Sequence, residues 1–109
     1  MTNTILTWIR LRWQWYRLWC SIADLKWVAK VGRDNESIYN QPLFKCFEAW
    51  VDHAQLNYDD GLLQPSEYAA SKAVAAFNRM PEPRRMFLSK LAQAARMTDY
   101  RMRVAHLCQ

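Results

Sequence analysis

One hundred and nine residues make a single domain, residues 1–109, long enough to bury a modest core without metal or disulfide support. An apolar fraction of 51% with only two Gly and four Pro excludes a disordered or fibrous chain. A formal charge of +5 makes the chain basic and points to a polyanionic partner, or to complementarity between its own segments.

The charge is unevenly placed. Residues 1–31 carry five Lys/Arg against Asp24, a net +4, whereas residues 32–61 carry two against six carboxylates, a net −4. Residues 81–109 return to +4, with six Lys/Arg against Glu82 and Asp99. Cys20, Cys46 and Cys108 are odd in number and widely spaced, so they read as free thiols in a reducing, cytoplasmic setting. The first residues carry no signal-peptide pattern. Arg10, Arg12, Arg17, Asp24 and Lys26 interrupt the apolar run too often for a membrane span.

The first predicted helix covers Thr4 to Val31 and holds five of the six Trp. At about 100° per residue its apolar positions fall on two stripes. One is Ile9, Trp13, Tyr16, Cys20, Trp27 and Val31; the other is Trp8, Trp15, Leu18, Trp19 and Ile22. A bundle helix needs one stripe a little over ~100° wide. The surplus, on the order of 100°, predicts either burial on most sides or a face offered to a partner. Gly32 stands where a left-handed C-terminal cap is wanted, and the capping-box-like Ser21 to Asp24 allows a break near Cys20.

Residues 33–41 read as a polar loop. Pro42, favoured in a first helical turn, opens a second helix running to Tyr58 with Leu43, Phe47, Trp50, Val51, Ala54 and Tyr58 inward. Asp59-Asp60-Gly61 is a stop and turn signal, after which Leu62 and Leu63 are expected to tuck into the core. The third helix runs from Pro65 to about Met80, its inner face Ala69, Ala70, Ala73, Ala76, Phe77 and Met80. Those small residues predict close approach to the aromatic first helix. Past the Met80-Pro-Glu-Pro83 break, a fourth helix extends to about His106, loosened near Thr98-Asp99. Its inner stripe is predicted as Phe87, Leu88, Leu91, Ala94, Ala95, Met102 and Ala105, and its outer stripe as Arg85, Ser89, Ala92, Arg96 and Arg103.

The chain therefore predicts an all-α fold: a compact bundle of four main helices, or five if the first or the last breaks, with a long tryptophan-rich first helix. Chemistry is sparsely provided. His53 and His106 belong to no metal-ligand or nucleophile motif, Cys46 and His53 are about two turns apart, and the two isolated Gly make no phosphate loop. The reading is a protein without catalytic residue, cofactor or metal.

Binding features are better represented. Trp and Arg dominate interface hot spots, which singles out Trp8, Trp15 and Trp19 as anchors with Arg12 at the rim. The function expected is that of a small accessory, regulatory or inhibitory protein acting on a protein or nucleoprotein partner. Self-association into a homodimer belongs to the same expectation, and a membrane partner is disfavoured because Trp lies on both stripes. The alternative is direct binding of nucleic-acid backbone by the basic C-terminal helix through Arg84, Arg85, Lys90, Arg96, Arg101 and Arg103.

Overall fold

Gln41 is extended (φ −91°, ψ 136°) and Pro42 follows it as the first helical residue, so a helix begins there without a side-chain cap. The computed structural model describes residues 2–108, without the side chains of Thr2 and Glu36. Five helices run through these residues: α1 (Thr2–Arg33), α2 (Glu36–Tyr39), α3 (Pro42–Asp59), α4 (Leu63–Asn78) and α5 (Glu82–Leu107). The fold is all-α, as the sequence predicts. Its fifth helix is α2, a single turn inside the predicted polar loop; α1 and α5 are each one uninterrupted helix past Ser21 and Thr98.

The centre of the fold is the α3–α4 hairpin. α3 buries Phe44, Phe47, Val51 and Ala54; α4 buries Ser66, Ala69, Ala70, Ala73 and Ala76. Rings on one helix meet methyl groups on the other, which lets the two axes lie close. The alanine helix thus finds its main partner in α3, whereas the sequence reading set it against the first helix. Ser66 is fully buried among these small residues, and its hydroxyl donates to the Ala54 carbonyl oxygen at 2.7 Å, so it is not stranded there.

The turn closing this hairpin follows from Gly61. Its φ of +78° lets the Leu62 N–H reach the Asn57 carbonyl at 2.9 Å and the Gly61 N–H reach Tyr58 at 3.0 Å, a Schellman cap. Leu62 is left exposed by this geometry and only Leu63 packs against the core, a correction to the expectation that both tuck in. A Cβ on Gly61 meets no atom within 4 Å, so the cost of Gly61→Ala is purely one of backbone conformation. We expect it to lower stability by ~1 kcal/mol, read in chemical denaturation with unchanged m-value.

α1 lays its C-terminal half on this hairpin. Leu18 and Ile22 pack with Ala54, Ala69 and Ala70, while Ala29 joins Phe44, Phe47, Val51, Ala73, Ala76, Met80 and Leu88. Gly32 does not cap α1. The helix runs through it to Arg33, and Gly61 is the one described residue with positive φ. Gly32 is instead buried against the Phe44 ring: a Cβ there would stand 2.6 Å from Phe44 Cζ and nearer still to Cε2. Glycine is the residue that lets an aromatic ring lie on the helix backbone.

α5 packs along α1, with Leu88 and Ala92 buried and Arg96 ion-paired to Asp24 at 2.6 Å. Phe87, Ala94, Met102 and Ala105, expected inside, are exposed, and Ala92, expected outside, is buried. The inner face of α5 is rotated from the predicted one because it meets α1 rather than a closed four-helix core. The molecule is accordingly a slab of 55 × 42 × 23 Å.

Candidate docking surface

At ~1.5 Å per residue the 32 residues of α1 reach about 48 Å, well beyond what the hairpin can cover. Leu18 is the first buried residue among those described, and residues 3–14 are exposed throughout. About 18 Å of helix therefore stands clear of the body as an arm. Thr7 steadies its start by donating from Oγ1 to the Asn3 carbonyl at 2.7 Å.

Placement on the body sorts the two sequence stripes. With Leu18 at 0° and about 100° per residue, Ile22 and Ala29 fall within ~40° and point into the hairpin, while Asp24 at ~240° meets α5. Trp15, at ~60°, turns inward: it is half-buried and edge-on to Tyr58, ring centroids 5.1 Å apart. The other proposed anchors stay outside. Trp8, Trp19, Ile5, Tyr16, Ile9 and Trp13 follow one another from ~80° to ~220° as a single open arc. Arg12 sits in its middle, with its guanidinium 5.1 Å from the Trp8 ring centroid. Trp13 and Tyr16, which the sequence reading did not select, stack at 5.9 Å on the same arc. Their spacing of three is the signal that could have found them.

Arg10, Gln14, Arg17 and Ser21 lie on the opposite side of α1, from ~260° to ~320°. No Asp or Glu occurs before Asp24. A hydrogen bond with the Cys20 side chain, and after it the negative charge that this sulfur carries when ionised, push the Tyr16 phenol up from its ordinary pKa. The arc carries apolar surface and one cation, Arg12, without a carboxylate.

The arc continues onto the body. Between α1 and α3 a groove of about 430 Å³ is lined by Trp19, Ala23, Lys26, Trp27, Lys30 and Arg33 on one side and Val51, Asp52 and Gln55 on the other. Its cations are already engaged: Lys26 donates to Gln55 Oε1 at 3.2 Å, Lys30 lies 5.2 Å over Trp27, and Arg33 pairs with Glu48 at 2.9 Å. The Glu48 carboxylate holds Arg33 above its ordinary pKa.

The basic residues of α5 are not brought together. Arg85, Arg96 and Arg103 lie within ~20° of one direction, but Lys90 and Arg101 lie ~140–160° round the helix. Arg96 is engaged by Asp24 and Arg103 by Asp99 at 3.1 Å. Arg84 and Arg85 are half-buried, and Arg85 Nε is enclosed without a hydrogen-bond partner among the described residues. Beyond Ala95, Met97, Tyr100, Met102, Val104 and Leu107 are exposed among these charges.

Cys20, Cys46 and Cys108 are free thiols. His53 stands edge-on to Trp50 at 6.0 Å, and no group of three His, Cys, Asp or Glu side chains suited to a metal ion occurs among the described residues. No described helix is long and apolar enough to cross a membrane. No protein-family model, curated protein or solved structure matches the chain.

Proposed function

We propose that this chain is a small non-catalytic accessory protein, a regulator or inhibitor, that works by docking the open face of α1 on a protein or nucleoprotein partner. The observation that supports this is the arc itself. Six large apolar side chains on it, Ile5, Trp8, Ile9, Trp13, Tyr16 and Trp19, are 51–60% exposed, together with Arg12. Soluble monomers rarely leave a contiguous apolar patch beyond ~300–600 Å², and Trp, Tyr and Arg are the side chains on which interface energy concentrates. Trp8 and Trp19 are the anchors in this reading, Trp13 and Tyr16 join them, and Trp15 supports the arm through Tyr58. The reading needs no cofactor or metal, and the free thiols suit a reducing, cytoplasmic setting. Surface contact with a membrane is not part of it.

The test is capture from the native host. Wild-type protein on a matrix is compared with Trp8→Glu/Trp19→Glu, the bound proteins being identified by mass spectrometry. A discrete partner retained by the wild type and reduced at least ~30-fold by the variant is the expected result, since each hot-spot ring contributes ~2 kcal/mol or more. The same material separates the nucleic-acid alternative. Binding of generic DNA or RNA that falls steeply with salt, and is lost in Arg85→Glu/Arg96→Glu/Arg103→Glu, would place the function on α5 instead.

A further inference from the structure

We infer that the partner seated on the α1 arm is a second copy of this chain, the two arms pairing face to face about a two-fold axis; this rests on the reading of the arc as a docking face. The first argument is area. A Trp or Tyr side chain presents ~150–250 Å² in all, so the exposed parts of Trp8, Trp13, Tyr16 and Trp19 with their aliphatic neighbours come to on the order of 800 Å². That is the area one partner contributes to a standard-size interface, ~800 Å². Pairing with an identical arm covers it without calling on any other surface.

The second argument is chemical self-complementarity. A two-fold interface sets the same patch against itself, so the patch must contain both members of each interaction. This one does: indole and phenol rings alternate with aliphatic side chains, and Arg12 already lies over the face of Trp8. Like-charge repulsion is confined to Arg12, because Arg10 and Arg17 lie on the opposite arc and remain in water when the arms pair. The third argument is access. Residues 3–14 stand clear of the body, so two arms can approach to the ~8–10 Å of packed helices.

Sedimentation equilibrium from 1 to 200 µM tests this on the full chain. A two-fold mass at the upper end is expected, with Trp emission shifting to the red on dilution in step with the fall in mass. Trp8→Glu/Trp19→Glu is expected to weaken the association at least ~100-fold while helical circular dichroism, and the Tm compared at dilutions where both proteins are monomeric, stay unchanged, since both rings are already more than half exposed in the single copy. Ile9→Asp, on the same arc, is a second variant that is expected to disperse the dimer should the double change disturb folding. A strict monomer at 200 µM, an open-ended oligomer, or a dimer indifferent to these changes overturns the inference. The two readings fail separately. A monomer that captures a host protein through Trp8 and Trp19 overturns self-pairing and leaves the docking face standing; a monomer that captures nothing overturns both.

Discussion

Phe47→Ala is expected to lower stability by ~3–5 kcal/mol, the range for emptying a buried aromatic site. Phe47 is completely buried, its ring 6.1 Å from Phe44 and 5.8 Å from Phe77, where α1, α3 and α4 meet. Part of the wall around it is alanine, and Ala29, Ala73 and Ala76 have no length with which to follow into the gap. A domain of this size holds ~5–15 kcal/mol in all, so the loss takes about a fifth or more of it. With an unfolding entropy of ~2.1 cal/mol/K per residue over 109 residues, Tm falls by about 13–22 °C. Leu56→Ala is the control: Leu56 is 62% exposed on the same helix, and its removal should change stability by no more than ~0.5 kcal/mol. Equal losses at the two positions would mean that the hairpin does not pack as described.

Gly32→Leu is the second large effect, expected at ~3 kcal/mol or more of destabilisation. Two opposing terms decide it. Replacing Gly inside a helix with a better helix former gains up to ~1 kcal/mol. Against this, any Cβ at position 32 stands within 2.6 Å of Phe44 Cζ, and the Phe44 ring is itself buried, with Phe47 and Tyr39 beside it. The ring has no open space to swing into, and overpacking costs ~1–3 kcal/mol for small additions. The steric term therefore wins for Gly32→Ala by a margin of ~1 kcal/mol and for Gly32→Leu by more. The decisive measurement is a double-mutant cycle in denaturant. Phe44→Leu is costly alone, but it should recover most of the loss caused by Gly32→Ala, giving a coupling above ~1 kcal/mol. A stabilising Gly32→Ala would show that Phe44 moves and would return Gly32 to an ordinary helical position.

The two glycines illustrate how far local pattern reaches. At Gly61 the neighbouring Asp59-Asp60 and the change from one periodic run to the next announce a turn, and the positive φ is there. At Gly32 the same reasoning leads to a cap that does not exist, because the cause of that glycine is a ring twelve residues further on. The inner face of α3 shows the same limit: Phe47, Val51 and Ala54 follow from helical spacing, but Phe44 was missed for Leu43, its neighbour at the start of the helix.

The candidate site was legible in kind and not in extent. An excess of Trp beyond what one helix face can bury is countable from the sequence, and Trp8, Trp19 and Arg12 lie on the open arc. Which rings were surplus was not countable. Trp15 differs from Trp8 and Trp19 by only ~20–40° round the helix and by lying beside Tyr58, and Trp13 is open because α3 and α4 do not reach that far along α1. The basic face of α5 was likewise dissolved by a contact between distant segments, Asp24 with Arg96.

By itself, then, the sequence determined the all-α class, four of the helices to within two residues at their ends, the alanine face of α4 and the presence of more aromatic surface than one chain buries. These depend on periodicity, proline and turn chemistry, all of which act within a few residues along the chain. The tertiary structure decided that α4 lies along α3, that α5 turns Ala92 inward and Phe87 outward, that Gly32 makes room for Phe44, and that α1 outruns its hairpin to leave an arm. Each of these depends on where one helix ends relative to another, and helix length and side-chain volume are compared only when the helices pack.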